Sequence, residues 1–289
     1  MALGNLAQRF LVALVAIPFL LVILYYHRPE PTWALIFGAS LIAMHELFAM
    51  LLPAADRRAA LVMGGIAVAA FYWLDPAALA VYGRLPRALS GAALAGATIP
   101  LLLTAVVPGL YYLFRFRDIP SVAGRYAATV TGIVYAGHLT TYLAKLKLID
   151  PDHAGDTVLI VLIVAWLADT GAYFAGRFLG NAKLYEAVSP KKTWAGAWGG
   201  LAGSLIGVAA LKLATAHYLS WVDVVLIAIP GGILGQLGDL TESLIKRSVG
   251  VKDSGSLLPG HGGLLDRIDA VLFIAPYVYG YLVLRAAIG

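Results

Sequence analysis

Cysteine is absent from the 289 residues, which rules out disulfides, thiolate zinc sites and a cysteine nucleophile. Charge is scarce as well. Only 13% of the residues are Asp, Glu, Lys or Arg and 61% are hydrophobic, against about 25% and about 45–50% in an ordinary soluble domain. The 21 basic and 16 acidic side chains are too few to cover the surface of a soluble fold of this length, so lipid is the expected solvent. The net charge of +5 is modest, and no dense Lys/Arg run with interleaved aromatics occurs. Nucleic acid is therefore not expected as a partner. Solenoid-type repeats and low-complexity tracts are missing too.

What is present is a succession of apolar stretches, each long enough to cross a hydrocarbon layer of about 30 Å, which takes about 20 helical residues. Nine can be drawn, at residues 10–26, 33–52, 59–74, 89–113, 127–144, 157–175, 195–215, 221–238 and 267–287. The expected fold class is all-α, a polytopic integral membrane protein with about nine transmembrane helices. Pro100 and Pro108 interrupt the fourth stretch, which is expected to be kinked or re-entrant. The first follows Arg9 but has no small-residue cleavage site after it, and is read as a retained span rather than a signal peptide.

Counting Lys and Arg on alternate sides of nine spans puts fourteen on one side, from Arg9 to Arg267, and seven on the other. The positive-inside bias places the N-terminus and the 176–194 and 239–266 loops in the cytoplasm. An integral protein of a bacterial inner (plasma) membrane with its active site facing the cytoplasm is the expectation. Residues 1–150 carry scattered polar groups, whereas Asp, Lys, Ser and Gly cluster in 151–289. The chain reads as one membrane domain with an N-terminal scaffold half (1–150) and a C-terminal catalytic half (151–289).

The chemistry concentrates in two places. If residues 238–247 continue the eighth span as helix, Asp239, Glu242, Ser243 and Lys246 share one face at spacings of three, four and seven. Pro259, Gly260, Gly262 and Gly263 then form a turn whose backbone N–H groups can approach an anion, and Asp266 and Asp269 open the final span on one face. Carboxylates from two helix ends, a Gly-rich turn and several cations are the parts that magnesium-assisted phosphoryl or nucleotidyl transfer needs. Asp/Lys clusters beside a membrane are often only solvated loop faces, but the density of Asp, Ser, Lys, His and Gly between residues 239 and 269 favours a functional site. Asp169, at the end of an apolar stretch where charge is costly, is read as a metal or substrate residue.

The run Ser243-x-Ile245-Lys246-Arg247-x4-Lys252-Asp253-x-Gly255-x2-Leu258-Pro259-x-His261-Gly262-Gly263-Leu264-Leu265-Asp266-Arg267-Ile268-Asp269 resembles the signature of the phosphatidate cytidylyltransferases, also called CDP-diacylglycerol synthases. Asp169-Thr170-Gly171-Ala172-Tyr173-Phe174-x-Gly176-Arg177 and Ser189-Pro190-Lys191-Lys192-Thr193-Trp194 extend the likeness, so the matching motifs span roughly residues 166–269. One departure is Ala195, where relatives more often carry Glu or Gln.

The resemblance implies transfer of CMP from CTP to phosphatidate with release of pyrophosphate. CTP, phosphatidate and membrane lipid are the implied partners, with a homodimer left open. It implies Mg2+, with room for a second metal, held by Asp239 and Asp266 and joined by Asp169. Lys246 and Lys252 complete the catalytic set with the two aspartates. Ser189, Lys191, Lys192, Thr193, Ser243, Arg247, His261, Gly262, Gly263 and Arg267 form the substrate-binding set.

The competing reading is an ion-coupled transporter with its polar site in the C-terminal half, since such proteins also use intramembrane carboxylates. Paired halves expected of that class are not visible. His45, Glu46 and His138 lie inside apolar stretches and are read either as lining of a polar path or as hydrogen-bonded packing residues. Trp33, Trp73, Trp194 and Trp221 lie near span ends, as in an interfacial belt.

Overall fold

The computed structural model describes residues 5–82, 93–115, 118–257 and 262–288. These fold into helices α1 (Asn5–Tyr25), α2 (Glu30–Leu51), α3 (Ala54–Trp73), α4 (Pro76–Val81) and α5 (Ala93–Phe114). A continuous helical run follows, comprising α6 (Ile119–Gly132), a π-helical segment (Ile133–His138) and α7 (Leu139–Leu146). Helix α8 (Ala154–Leu179) leads to a hairpin of β1 (Lys183–Tyr185) and β2 (Ser189–Thr193), then α9 (Trp194–Ala214), α10 (Trp221–Ser248) and α11 (Leu265–Ile288).

The helical expectation holds apart from the hairpin, which an all-α reading did not foresee. Helix α5 continues through Pro100 and Pro108. Among the described residues, five helices are long and apolar enough to cross a membrane: α2, α8, α9, α10 and α11. Large apolar side chains on their outer faces are open, among them Phe178 (72% exposed) and Val222 (65%), as a lipid solvent requires. Trp194 and Trp221 are exposed, but Trp33 is buried and stacks on Tyr72 with ring centroids 4.1 Å apart, so packing rather than an interfacial belt explains it.

Polar ties join helix ends that a strictly alternating path would place on the same side. Arg125 of α6 meets Asp56 of α3 at 3.0 Å, and Tyr111 near the end of α5 also donates to Asp56. At the other ends, Lys145 of α7 pairs with Asp75 at 3.0 Å, and Asp156 of α8 accepts from Tyr25 of α1. Lys147 donates to the carbonyls of Ile23, Leu24 and Tyr26, closing the C-terminal end of α1. Its burial holds the ammonium below its ordinary pKa. A capping box of Ser220 and Asp223 starts α10, and Asp223 also pairs with Arg285 of α11 at 3.2 Å.

Among the described residues, helices α8 and α9 share the most extensive helix–helix contact. A Cβ on Gly203 would lie 2.1 Å from the Leu167 carbonyl, and one on Gly171 would lie 2.2 Å from that of Gly199. Lipid tails are as apolar as leucine, so helix association rests on such backbone approach rather than on the hydrophobic effect. Gly203→Val is therefore expected to wedge the pair apart, since overpacking costs about 1–3 kcal/mol or more. A fall in the monodisperse, detergent-extracted fraction and in its thermal midpoint would register this.

Candidate active site

The site is assembled where the C-terminal ends of α8 and α10 meet the N-terminal ends of α9 and α11 and the hairpin. A cavity of about 710 Å³ lies there, and its wall includes Asp169, Arg177, Lys191, Lys192, Thr193, Asp239, Lys246, Asp253, Asp266, Arg267 and Asp269. Ala165, Ala168, Ala172, Gly196, Ala197 and Gly235 line it as well. These small side chains leave room, and the charged ones supply the chemistry.

Helix α10 runs unbroken to Ser248, so its last turns carry Asp239, Glu242, Ser243 and Lys246 along one face, as their spacing predicts. Lys246 Nζ lies 2.6 Å from Glu242 Oε2 and 2.5 Å from Asp266 Oδ1. Ser243 Oγ lies 3.4 Å from Asp239 Oδ1. Helix α11 comes close because α10 presents glycine to it: a Cβ on Gly238 would sit 2.6 Å from the Asp269 carbonyl.

The other Asp266 oxygen is equally occupied. Oδ2 accepts from Ser254 N at 3.0 Å, Ser254 Oγ at 3.0 Å and Gly263 N at 2.8 Å. Gly262 reaches this turn with φ of 79°, in the left-handed region that glycine adopts without penalty. A carboxylate offers about four lone-pair positions, so Asp266 keeps little free capacity and its orientation is strongly specified.

The hairpin carries the Ser189–Thr193 motif. Tyr185 faces Ser189 and Lys183 faces Thr193 across it, while Thr193 also caps α9 by accepting from Gly196 N at 3.1 Å. From β2, Lys192 Nζ reaches Asp239 Oδ2 at 2.7 Å and the Gln236 carbonyl at 3.4 Å. On α8, Asp169 lies within electrostatic reach of Asp239, Lys192 and Arg267. Asp269 lies within that of Asp239, Glu242 and Asp169.

Of the residues expected at the site, Asp169, Lys191, Lys192, Thr193, Asp239, Lys246, Asp266 and Arg267 all face this one cavity. Ser189, Ser243, Arg247, Lys252, Gly262 and Gly263 are not part of its wall. Arg247 is exposed and donates to the Val251 carbonyl at 3.0 Å, and Lys252 is exposed in the loop after α10. His261 lies outside the described residues, as do Leu258, Pro259 and Gly260.

Among the described residues, no group of three or more His, Asp or Glu side chains forms a ready-made metal cage. Mg2+ does not require one, because it is commonly held by one or two carboxylates together with water and substrate phosphates. Asp239 and Asp169, with the remaining capacity of Asp266, are hard oxygen donors on a common wall and fit that pattern.

Sequence reasoning placed Asp269 and Glu242 on the right faces without assigning them roles, and missed Arg177, Gln236 and Ser254. The signal for Arg177 was its place in the Asp169 motif. Ser254 offered none beyond its position within the signature. Glu46 was seen as a carboxylate in an apolar stretch, but its partners lie more than 200 residues away. His138 packs with its ring stacked on Phe71, centroids 3.7 Å apart, but its Nδ1 has no hydrogen-bond partner among the described residues.

Residues 7–285 match the model of the cytidylyltransferase family. The chain belongs to that family. Membership makes it a nucleotidyltransferase enzyme. It is 37% identical over 214 residues to a phosphatidate cytidylyltransferase of Synechocystis sp., covering 63% of this chain and 70% of the relative. Against the phosphatidate cytidylyltransferase of Bacillus subtilis the identity is 38% over 151 residues, 52% of this chain and 56% of the relative. Against that of Brucella suis it is 42% over 148 residues, 51% of this chain and 54% of the relative. The chain thus aligns with little more than half the length of the last two. The cytidylyltransferase family therefore accounts for nearly the whole chain, including α2, and not only for the polar C-terminal half.

Proposed function

We propose that this cytidylyltransferase is a phosphatidate cytidylyltransferase, converting CTP and phosphatidate to CDP-diacylglycerol and pyrophosphate. The observation that carries the reading is the convergence of carboxylates from α8, α10 and α11 with Lys191, Lys192, Lys246 and Arg267 on one cavity. Its volume of about 710 Å³ suits a nucleotide.

A phosphate oxygen of phosphatidate attacks the α-phosphorus of CTP. The new O–P bond forms as the bond from that phosphorus to the bridging oxygen of the β-phosphate breaks, and the electron pair leaves with pyrophosphate. No unusual base is required, because a phosphate monoester with a second pKa of about 6 is already an anion near neutral pH. Asp239, Asp266 and Asp169 would hold the magnesium ion, which when bound draws charge from phosphate oxygens. Lys191, Lys192 and Arg267 bind phosphates beside these carboxylates, with Arg247 from the end of α10 and Lys252 from the loop after it joining from outside the cavity wall. Lys246 and Ser254 keep Asp266 aimed. The small residues of α8 and α9 admit the lipid phosphate.

The polar ties between helix ends support nine alternating crossings, with the site at the more basic, cytoplasmic surface of a bacterial inner membrane. The cavity lined entirely by residues between Ala165 and Ala270 supports a catalytic half at 151–289 beside a scaffold half at 1–150.

Purified protein given CTP and phosphatidate in mixed micelles is expected to release pyrophosphate and CDP-diacylglycerol in equal amounts. Chelation of divalent metal should reduce turnover to background, and Mg2+ should restore it. Flux of a solute across sealed vesicles without CTP, and no nucleotidyl transfer, would replace this reading with a transporter.

A further inference from the structure

Glu46 lies in α2, far from the polar C-terminal cluster in sequence, yet it is 5% exposed and aimed at the start of α11. Its Oε1 accepts from Leu264 N at 3.0 Å, and its Oε2 accepts from Leu265 N at 2.8 Å and contacts Ser254 Oγ at 3.1 Å. Among the described residues it forms no ion pair with a cation. A buried carboxylate without a cation is tolerable here because the free N–H groups and the positive end of a helix receive it.

The surrounding backbone is shaped to the carboxylate. A Cβ on Gly255 would lie 2.7 Å from Glu46 Oε1, and a Cβ on Gly263 would lie 2.1 Å from Ser254 Oγ and 2.5 Å from Glu46 Oε2. Both glycines belong to the signature run, and the turn-forming role read from sequence does not account for Gly255. Space for the Glu46 carboxylate does.

The same turn carries the hydrogen bonds of Asp266. Ser254 Oγ stands 3.1 Å from Glu46 and 3.0 Å from Asp266, and its single proton serves one of them at a time. The amides of Ser254 and Gly263 serve Asp266 throughout. Glu46 grips the next two amides along the chain, Leu264 and Leu265.

We propose that Glu46 is a positioning residue for the reaction, a carboxylate of the N-terminal half that clamps Ser254 and the backbone of residues 263–265 and so fixes the direction of Asp266. It touches no substrate and acts through the backbone. The proposal rests on the function given above, and the conservative amide variant separates the two.

Glu46→Gln keeps the size and one acceptor oxygen but loses the charge and places an amide donor against a backbone N–H. The expected result is a kcat lowered about 10–100-fold, as for other residues that orient a catalytic carboxylate from behind. The KM values for CTP and phosphatidate should stay close to those of the parent. In hydrogen exchange of the detergent-purified protein, the amides of Ser254 and of residues 263–266 should exchange faster in Glu46→Gln, with the rest of the chain unchanged.

Unchanged exchange at those amides overturns the clamp, whatever the activity. Faster exchange with parental kcat overturns the positioning role. Activity lost only in proportion to folded protein also overturns it, because a merely structural role would not lower kcat per folded molecule. If the parent protein itself makes no CDP-diacylglycerol, the proposed function fails, and the exchange measurement still decides whether Glu46 holds the turn.

Discussion

Lys246→Met is expected to abolish turnover and to destabilise the protein by about 3–5 kcal/mol, the usual result of stripping the cation from buried acids. The reason is the company Lys246 keeps. Its ammonium lies 2.6 Å from Glu242, whose side chain is 0% exposed, and 2.5 Å from Asp266, whose side chain is 7% exposed. Without it, two carboxylates face each other in a poorly hydrated site. Glu242 Oε1 already lacks a hydrogen-bond partner among the described residues, so the variant has nothing with which to compensate.

The double variant Lys246→Met with Glu242→Met separates stability from function. Removing Glu242 together with Lys246 leaves Asp266 as the one buried acid of the triad without its cation, still held at Oδ2 by Ser254 and Gly263. Thermal stability in detergent should return in part, and nucleotidyl transfer should not, since Asp266 Oδ1 has still lost its partner. Such strong coupling is expected of residues in direct contact. If the single variant proved as stable and active as the parent, the ion triad would have no role in the site.

Asp239→Asn carries the second large effect. Asp239 is the carboxylate on α10 that faces the cavity, with Oδ2 held by Lys192 at 2.7 Å. The amide keeps the shape and removes the charge that would attract a metal and Lys192 together. Loss of one preorganised electrostatic partner costs about 10²–10³-fold in kcat elsewhere, and at least that much is expected here. The fold should survive, because the side chain is 33% exposed and Ser243 and Lys192 can both turn to solvent. Initial rates with radiolabelled CTP, beside a circular dichroism spectrum matching the parent, would measure this. Parental turnover would remove Asp239 from the metal assignment.

Several residues show how far sequence reaches. Asp239, Glu242, Ser243 and Lys246 were placed on one face by the helical period, and the contacts of Lys246 with Glu242 and of Ser243 with Asp239 follow directly from that spacing. The Ser189–Thr193 motif was visible, but its hairpin was not. A strand of five residues containing Pro190 and two lysines has no alternating apolar pattern to announce it.

Asp266 was recognised as a site residue, whereas the saturation of its oxygens could not have been anticipated. Two of its donors come from Ser254, twelve residues earlier in an irregular loop. The tie of Glu46 to Leu264 and Leu265 spans 218 and 219 residues and joins the two halves of the chain. No periodicity reports a contact at that distance.

By itself the sequence determined that the chain is helical, apolar and rich in acid and base at a few helix ends. These properties are local: a backbone in lipid must satisfy its own hydrogen bonds within each helix, and side chains three or four residues apart must share a face. Only the tertiary structure decided which carboxylate meets which cation, which glycines yield space, and which oxygens remain open toward the cavity. Those outcomes depend on how closely separate helices approach, and that distance is set by packing among residues that are remote along the chain.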